Sequence, residues 1–212
     1  MYKVNTKYFS TIDSEDKAYW VGFIMADGYI YKDLYVRVEL SSIDKEHLEK
    51  FSESIESNIP IKTTVRKDVY IGDRKLNASP SCVFTISRKK VVKDLINIGV
   101  PNKDKTLTDV VPNIPKEFKR DFVRGYFDGD GCVSNRKTPE AYVLGLPSLL
   151  SYIVSDLNVN NKLYKDSIAE IPLHKLRWFS KKDLKSFYEY IYYKENITCL
   201  QRKQEVFKQI VL

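Results

Sequence analysis

The chain has 212 residues, 43% of them hydrophobic, with 35 Lys and Arg against 28 Asp and Glu for a net charge of +7. That length buries one good core or two small ones, and the basic excess suits a partner rich in phosphate. Three scattered cysteines without CxxC spacing (Cys82, Cys132 and Cys199) argue against both a disulfide framework and a zinc site, and no apolar run approaches a membrane span or a signal peptide. An intracellular, reducing compartment with no membrane partner is therefore expected.

In chain order, residues 1–12 read as an arm. Ser14 followed by Glu15 and Asp16 is a helix start, a capping hydroxyl with acidic first-turn residues. That helix should run to Gly28. Tyr35, Arg37 and Glu39 then alternate with Val36, Val38 and Leu40, the period of a half-buried strand, with a hairpin turn near Asp33. Asp44–Ser57 reads as a helix with Leu48, Phe51 and Ile55 on one face. Strands are expected near 61–67 and 81–88, joined by a long exposed connection over Asp68–Pro80. Lys89–Ile98 is a short helix stopped by Gly99 and Pro101, and Pro112 and Pro115 bound a linker to the next helix. The order then repeats: hairpin strands at Cys132–Asn135 and Ala141–Leu146, a helix at Ser148–Leu157, strands at Leu163–Ile171 and His174–Phe179, and helices at Lys181–Tyr193 and Thr198–Leu212. The expected fold is α+β, with two pseudo-symmetric αββαββα halves, residues 1–112 and 113–212. Charge is shared between the halves: residues 1–106 carry 18 basic and 15 acidic residues, and residues 107–212 carry 17 and 13.

One stretch occurs in both halves. Trp20-Val21-Gly22-Phe23-Ile24-Met25-Ala26-Asp27-Gly28 and Val123-Arg124-Gly125-Tyr126-Phe127-Asp128-Gly129-Asp130-Gly131 each carry small residues at the third and seventh positions and end in Asp-Gly. Gly22 and Ala26, like Gly125 and Gly129, form a bare stripe on a helix and let two backbones approach closely. Asp27 and Asp130 would then share the C-terminal ends of paired helices, with Gly28 and Gly131 as left-handed caps. Two carboxylates held together call for a cation, and the carbonyl-rich helix ends add negative charge. Mg²⁺ suits such oxygen ligands, which makes the pair a candidate metal-dependent phosphodiester-cleaving centre.

Both copies resemble the LAGLIDADG motif of homing endonucleases, at the third-position glycine and the closing Asp-Gly. Met25 departs at position six. The resemblance implies a two-motif, pseudo-dimeric monomer with two four-stranded sheets forming a saddle over double-stranded DNA. It also implies catalysis by Asp27 and Asp130 with Mg²⁺ or another divalent cation, cutting both strands to leave 3′ overhangs at a long site, and an origin within an intron. The family places a basic residue late in each half, for which Lys103 and Lys203 stand at comparable places. Basic residues on the expected strands and their turns suit DNA: Lys32, Arg37, Lys62, Arg66, Lys67, Arg74 and Arg88 in the first half, and Arg136, Lys137, Lys162, Lys165, Lys175 and Arg177 in the second.

His47 and His174 lack metal-ligand spacing and are expected to stay out of catalysis. An EF-hand loop from Asp128 fails, because Pro139 stands where the ligand Glu belongs. A dehalogenase-type DxDG would sit on a buried strand, whereas Arg120, Asp121, Arg124 and Gly125 suit an amphipathic helix. An intein is disfavoured by the Met1-Tyr2 start and Val211-Leu212 end. The alternative that stays open is a member of the same family that binds DNA or RNA, such as an intron maturase, without cutting.

Overall fold

The computed structural model describes residues 2–65, 69–71, 74–76, 79–102, 108–157, 163–165 and 173–212, with backbone alone at 69–71, 74–76 and 163–165. Helix α1 (Glu15–Asp27) begins where Ser14 Oγ accepts from the Lys17 amide, as its sequence indicates. Every residue from Ala18 to Ala26 is buried. A helix apolar all round belongs inside a core, and α1 packs there against α4 (Lys119–Asp130), its counterpart in the second half.

The first half continues with strands β1 (Gly28–Tyr31) and β2 (Tyr35–Ser41), helix α2 (Lys45–Ser54), and strands β3 (Lys62–Thr64), β4 (Val69–Ile71), β5 (Arg74–Leu76) and β6 (Ser81–Ile86), then helix α3 (Lys89–Ile98). The second half, after α4, runs β7 (Gly131–Ser134), β8 (Glu140–Gly145), α5 (Pro147–Val154), β9 (Leu163–Lys165), β10 (His174–Trp178), α6 (Lys181–Ile191) and α7 (Gln201–Val211). Two antiparallel sheets result, ordered β1-β2-β6-β3 and β7-β8-β10-β9. The orders match position for position, so the fold is α+β with two pseudo-symmetric halves. In each sheet one face packs on helices: Val36, Val38 and Leu40 of β2 are buried, as are Ala141, Val143 and Gly145 of β8. The other face carries Tyr35, Arg37 and Glu39 in one sheet and Glu140, Tyr142 and Leu144 in the other, all partly exposed.

Three expectations change. The connection expected over Asp68–Pro80 carries the antiparallel pair β4–β5, in register Val69↔Leu76 and Ile71↔Arg74. Helix α4 is not amphipathic in the simple sense, because Lys119, Asp121, Arg124 and Asp128 are all buried on it. Asp121 and Arg124 pair with each other at 2.8 Å, and Arg124 also donates to the carbonyls of Thr198 and Ile191. These bonds satisfy the buried pair only in part, since Asp121 Oδ2 and Arg124 Nη2 have no hydrogen-bond partner among the described residues. The last helix starts at Gln201, after an irregular segment from residue 192, where a start at Thr198 was expected. Helix α3, by contrast, has the expected bounds and ends at Gly99, whose φ of +113° only glycine adopts readily. Among the described residues no helix is long and apolar enough to cross a membrane.

Candidate metal and nucleic-acid site

The glycine stripe does what its spacing indicates. A Cβ on Gly22 would lie 2.1 Å from the Phe122 carbonyl oxygen, and one on Gly125 would lie 2.0 Å from that of Tyr19. These are backbone atoms, which cannot step aside, so the two helices touch main chain to main chain. One turn on, a Cβ on Gly129 would meet the Ala26 Cβ at 2.4 Å and would stand 3.4 Å from Asp27 Oδ2. The Asp27 carboxylate therefore reaches across the pair to the residue beside Asp130. Both aspartates are the last residues of their helices and both are partly exposed.

The closing glycines are not left-handed caps. Gly28 has φ −79° and ψ 160°, and Gly131 has φ −78° and ψ 154°, both extended. Each helix passes directly into a strand, and glycine is needed for space: a Cβ at either position would sit 2.3 Å from a carbonyl oxygen of the last turn, Ile24 or Phe127. The same turn fixes each aspartate at the root of its sheet.

Beside the second aspartate lies a buried network that motif reading missed. Asp128 accepts hydrogen bonds from Tyr19 Oη (2.8 Å), Tyr192 Oη (2.9 Å) and the Leu200 amide (2.7 Å). Burial pushes its carboxyl up, against the pull of Lys203 and these three bonds. Burial pushes the Tyr19 and Tyr192 hydroxyls well above the ordinary tyrosine range, with Asp128 adding to it. Tyr19 Oη is also 2.9 Å from His47 Nε2, and burial pushes that imidazole down to about 3. His47 is thus a neutral core residue, in keeping with its lack of metal spacing. That Asp130, and not Asp128, ends the helix was legible in the sequence; the buried partners of Asp128 were not.

Lys203, on α7, reaches the end of α4. Its Nζ donates to the carbonyls of Phe127 (3.0 Å), Asp128 (2.6 Å) and Gly131 (2.6 Å), with Gly129 O at 3.3 Å. Burial lowers its pKa, while Asp128, Asp27 and Asp130 oppose that shift. It caps the helix end and spends its three N–H groups on main chain. Its neighbour Arg202 forms a two-point bond to Asp44 at 2.7 and 2.8 Å, tying α7 to the first half. Lys103 lies outside the described residues. Asp130 also borders a largely apolar cavity of ≈ 180 Å³ with Met25, Tyr126, Leu144 and Leu149.

The basic candidates divide. Arg37 and Lys62 share the uncovered face of the first sheet, and Lys175 and Arg177 that of the second, by register. Arg37 pairs with Glu39 at 2.8 Å and Arg177 with Glu140 at 2.5 Å. Lys32 is in the β1–β2 turn with φ 44°, and Arg136 and Lys137 are exposed in the β7–β8 turn. Arg88 stands apart, its guanidinium donating to the Tyr2 carbonyl at 2.6 Å and so pinning the N-terminal arm. Arg74 and Lys165 are on β5 and β9, described by backbone alone, and Arg66, Lys67 and Lys162 lie outside the described residues. A feature absent from the basic list is aromatic: Tyr29, Tyr31 and Tyr35 line the same face as Arg37, and Tyr31 stacks on Tyr35 at 5.3 Å.

The model of the LAGLIDADG-like domain matches residues 14–99 and again 117–192, one copy per half. No curated protein matches the sequence. Among solved structures, the LAGLIDADG homing endonuclease I-LtrWI bound to target DNA has a TM-score of 0.59 at 14% identity, over 98% of this chain and 90% of that one. Meganuclease I-SmaMI bound to uncleaveable DNA gives 0.59 at 14%, over 92% and 88%. The LAGLIDADG homing endonuclease I-GzeII in complex with a DNA target gives 0.59 at 13%, over 91% and 88%. At such identities the likeness is one of fold, and the family follows from the twice-matched domain together with the paired motif helices: this chain belongs to the LAGLIDADG family.

Proposed function

We propose that this protein is a site-specific DNA endonuclease, a homing endonuclease that breaks both strands of a long duplex target and acts as a monomer. What supports the reading is that Asp27 and Asp130 each end one of two helices packed main chain to main chain at Gly22 and Gly125. A helix interface has no use for two adjacent carboxylates unless something positive joins them. The paired halves, residues 1–112 and 113–212, supply one carboxylate each, so a second subunit is not required. An intron-borne reading frame and an intracellular site of action complete the proposal.

The donor set fits a divalent metal. Two carboxylates are hard oxygen ligands. That combination suits Mg²⁺, which takes one or two carboxylates and fills its remaining positions with water and substrate phosphate. When bound, the ion supplies the positive charge that stabilises a phosphoryl-transfer transition state. Asp27 and Asp130 would hold it, each at the centre that serves one strand. The cations of the two sheet faces, Arg37, Lys62, Lys175 and Arg177, neutralise DNA phosphates on either side. Lys203 works indirectly in this scheme, holding the end of α4 and lending a buried positive charge beneath Asp130. Hydrolysis with departure of the 3′ oxygen leaves 5′ phosphates. The phosphates facing each other across a B-form minor groove are offset toward the 3′ side, so the breaks are expected to leave 3′ overhangs.

The test is direct. Purified protein is incubated with a library of candidate intron insertion sites and Mg²⁺, and the ends are mapped. Linear products with 3′ extensions, silent in chelator and restored by added metal, are expected. If no duplex is cut, and the protein instead binds intron RNA and speeds splicing, the non-cleaving reading replaces this one.

A further inference from the structure

The motifs are alike in pattern but not in what backs them. At the sixth motif position α4 has Asp128, which is 1% exposed, and α1 has Met25. The three donors to Asp128 come from different places: Tyr19 on α1, Tyr192 just after α6, and the Leu200 amide at the start of α7. One carboxylate thus joins both motif helices to the C-terminal segment. Leu200 in turn accepts from the amides of Lys203 and Gln204, which begins α7 at that point. Starting α7 there brings Lys203 Nζ onto the carbonyls of residues that bracket Asp130 on both sides. Methionine can accept no such set of bonds, and Met25 instead lines the apolar cavity.

We propose that Asp128 is a positioning residue for the second aspartate: it fastens the C-terminal segment to the helix pair so that Lys203 holds the last turn of α4 around Asp130. The two ends of the helix pair are then unequal in support. Loosening Asp128 disturbs the setting of Asp130 and leaves the root of β1, where Asp27 stands, on its own scaffold. For its kinetic consequence the inference rests on the endonuclease reading; for its structural consequence it does not.

The experiment uses the full chain as Asp128→Leu, which keeps the branched shape and removes every acceptor, and Asp128→Asn, which keeps the volume and one oxygen and serves if the larger leucine does not fold. Leu48→Ala, a core truncation in the first half, controls for general destabilisation. Amide hydrogen exchange followed by mass spectrometry should show faster exchange over residues 192–211 and the end of α4, by roughly tenfold or more, with α3 unchanged. Leu48→Ala should instead accelerate the first half. With the two strands of a cut duplex carrying different labels, Asp128→Leu should slow one strand by up to about 100-fold, the cost of misplacing a reacting group by ~1 Å, and the other far less. Lys203→Met should slow that same strand. Equal slowing of both strands, or an exchange pattern that rises throughout the molecule, overturns the proposal. A wild-type protein that cuts neither strand overturns the endonuclease reading and not this one, which the exchange pattern then decides by itself.

Discussion

The ends of α1 and α4 lie side by side and are built from one pattern, yet they rest on different chemistry. The end of α1 is backed by apolar packing, with Met25 and Ala26 buried and Gly28 turning straight into β1. The end of α4 is backed by Asp128, two tyrosyl hydroxyls, a main-chain amide and the ammonium of Lys203. Helix α7 supplies the ammonium of that support, and through Arg202 and Asp44 it also grips the first half. The sheets differ too. Three tyrosines and Arg37 line the first half's open face, whereas on the second, Lys175 lies over the Tyr142 ring at 4.4 Å and Arg177 over that of Phe179 at 5.6 Å. A repeated motif therefore fixes where two groups meet but not what holds each one.

The largest effect should ignore the asymmetry. Asp27→Asn and Asp130→Asn should each reduce double-strand cleavage by on the order of 10³-fold or more, since several kcal/mol of metal-borne charge stabilisation depends on both. DNA affinity, measured by fluorescence anisotropy in the same buffer, should change little. Full cleavage by either variant would remove that aspartate from the centre.

The glycine stripe offers a second symmetric test. Gly22→Val and Gly125→Val place branched side chains against backbone at 2.1 and 2.0 Å, so both should lose at least about 1–3 kcal/mol and more if the helices cannot separate. Thermal melts should fall by similar amounts for the two. A harmless Gly125→Val would mean that the close approach is not where the fold puts it.

Acid should act on the network from the first-half side. The folded pKa of His47 is lowered from 6.5 to about 3 by burial, so between those values the unfolded chain binds a proton that the folded chain refuses. Its contribution is complete above pH 6.5 and is lost as pH falls toward 3, by on the order of a few kcal/mol at the acid limit. His47→Phe should flatten that part of the stability–pH curve, read from denaturant midpoints. An unchanged acid slope would assign the loss to carboxylates.

Smaller still is the tie between α7 and the first half. Arg202→Ala should cost about 1 kcal/mol, because the arginine is half exposed even though its partner Asp44 is buried. On the open face of the second sheet, Lys175→Ala should weaken DNA binding uniformly across sequences and lower the salt slope by about one unit. Sequence-selective loss would instead mean that Lys175 reads a base.

Much of this was legible in the chain because it is local or periodic. Ser14 announces α1, Gly99 ends α3, and the alternation from Tyr35 to Leu40 marks β2 with its buried face. The spacing of Gly22, Ala26, Gly125 and Gly129 gives the helix pair, since small residues four apart must lie on one side of a helix. The roles of Asp128 and Arg124 were not legible. Apart from the local pair of Arg124 with Asp121, their partners stand 64–109 and 67–74 residues away in sequence, and no local rule links a motif aspartate to Tyr19, Tyr192 or the Leu200 amide. The form of the two Asp-Gly ends was misjudged for a related reason, because a glycine serves equally for a positive φ or for missing volume. Sequence alone determined that two matching helices would meet and carry an aspartate each to the same place. Tertiary structure decided that one aspartate stands on an apolar floor and the other on a buried polar network, because a hydrogen bond depends on where distant segments of chain come to rest.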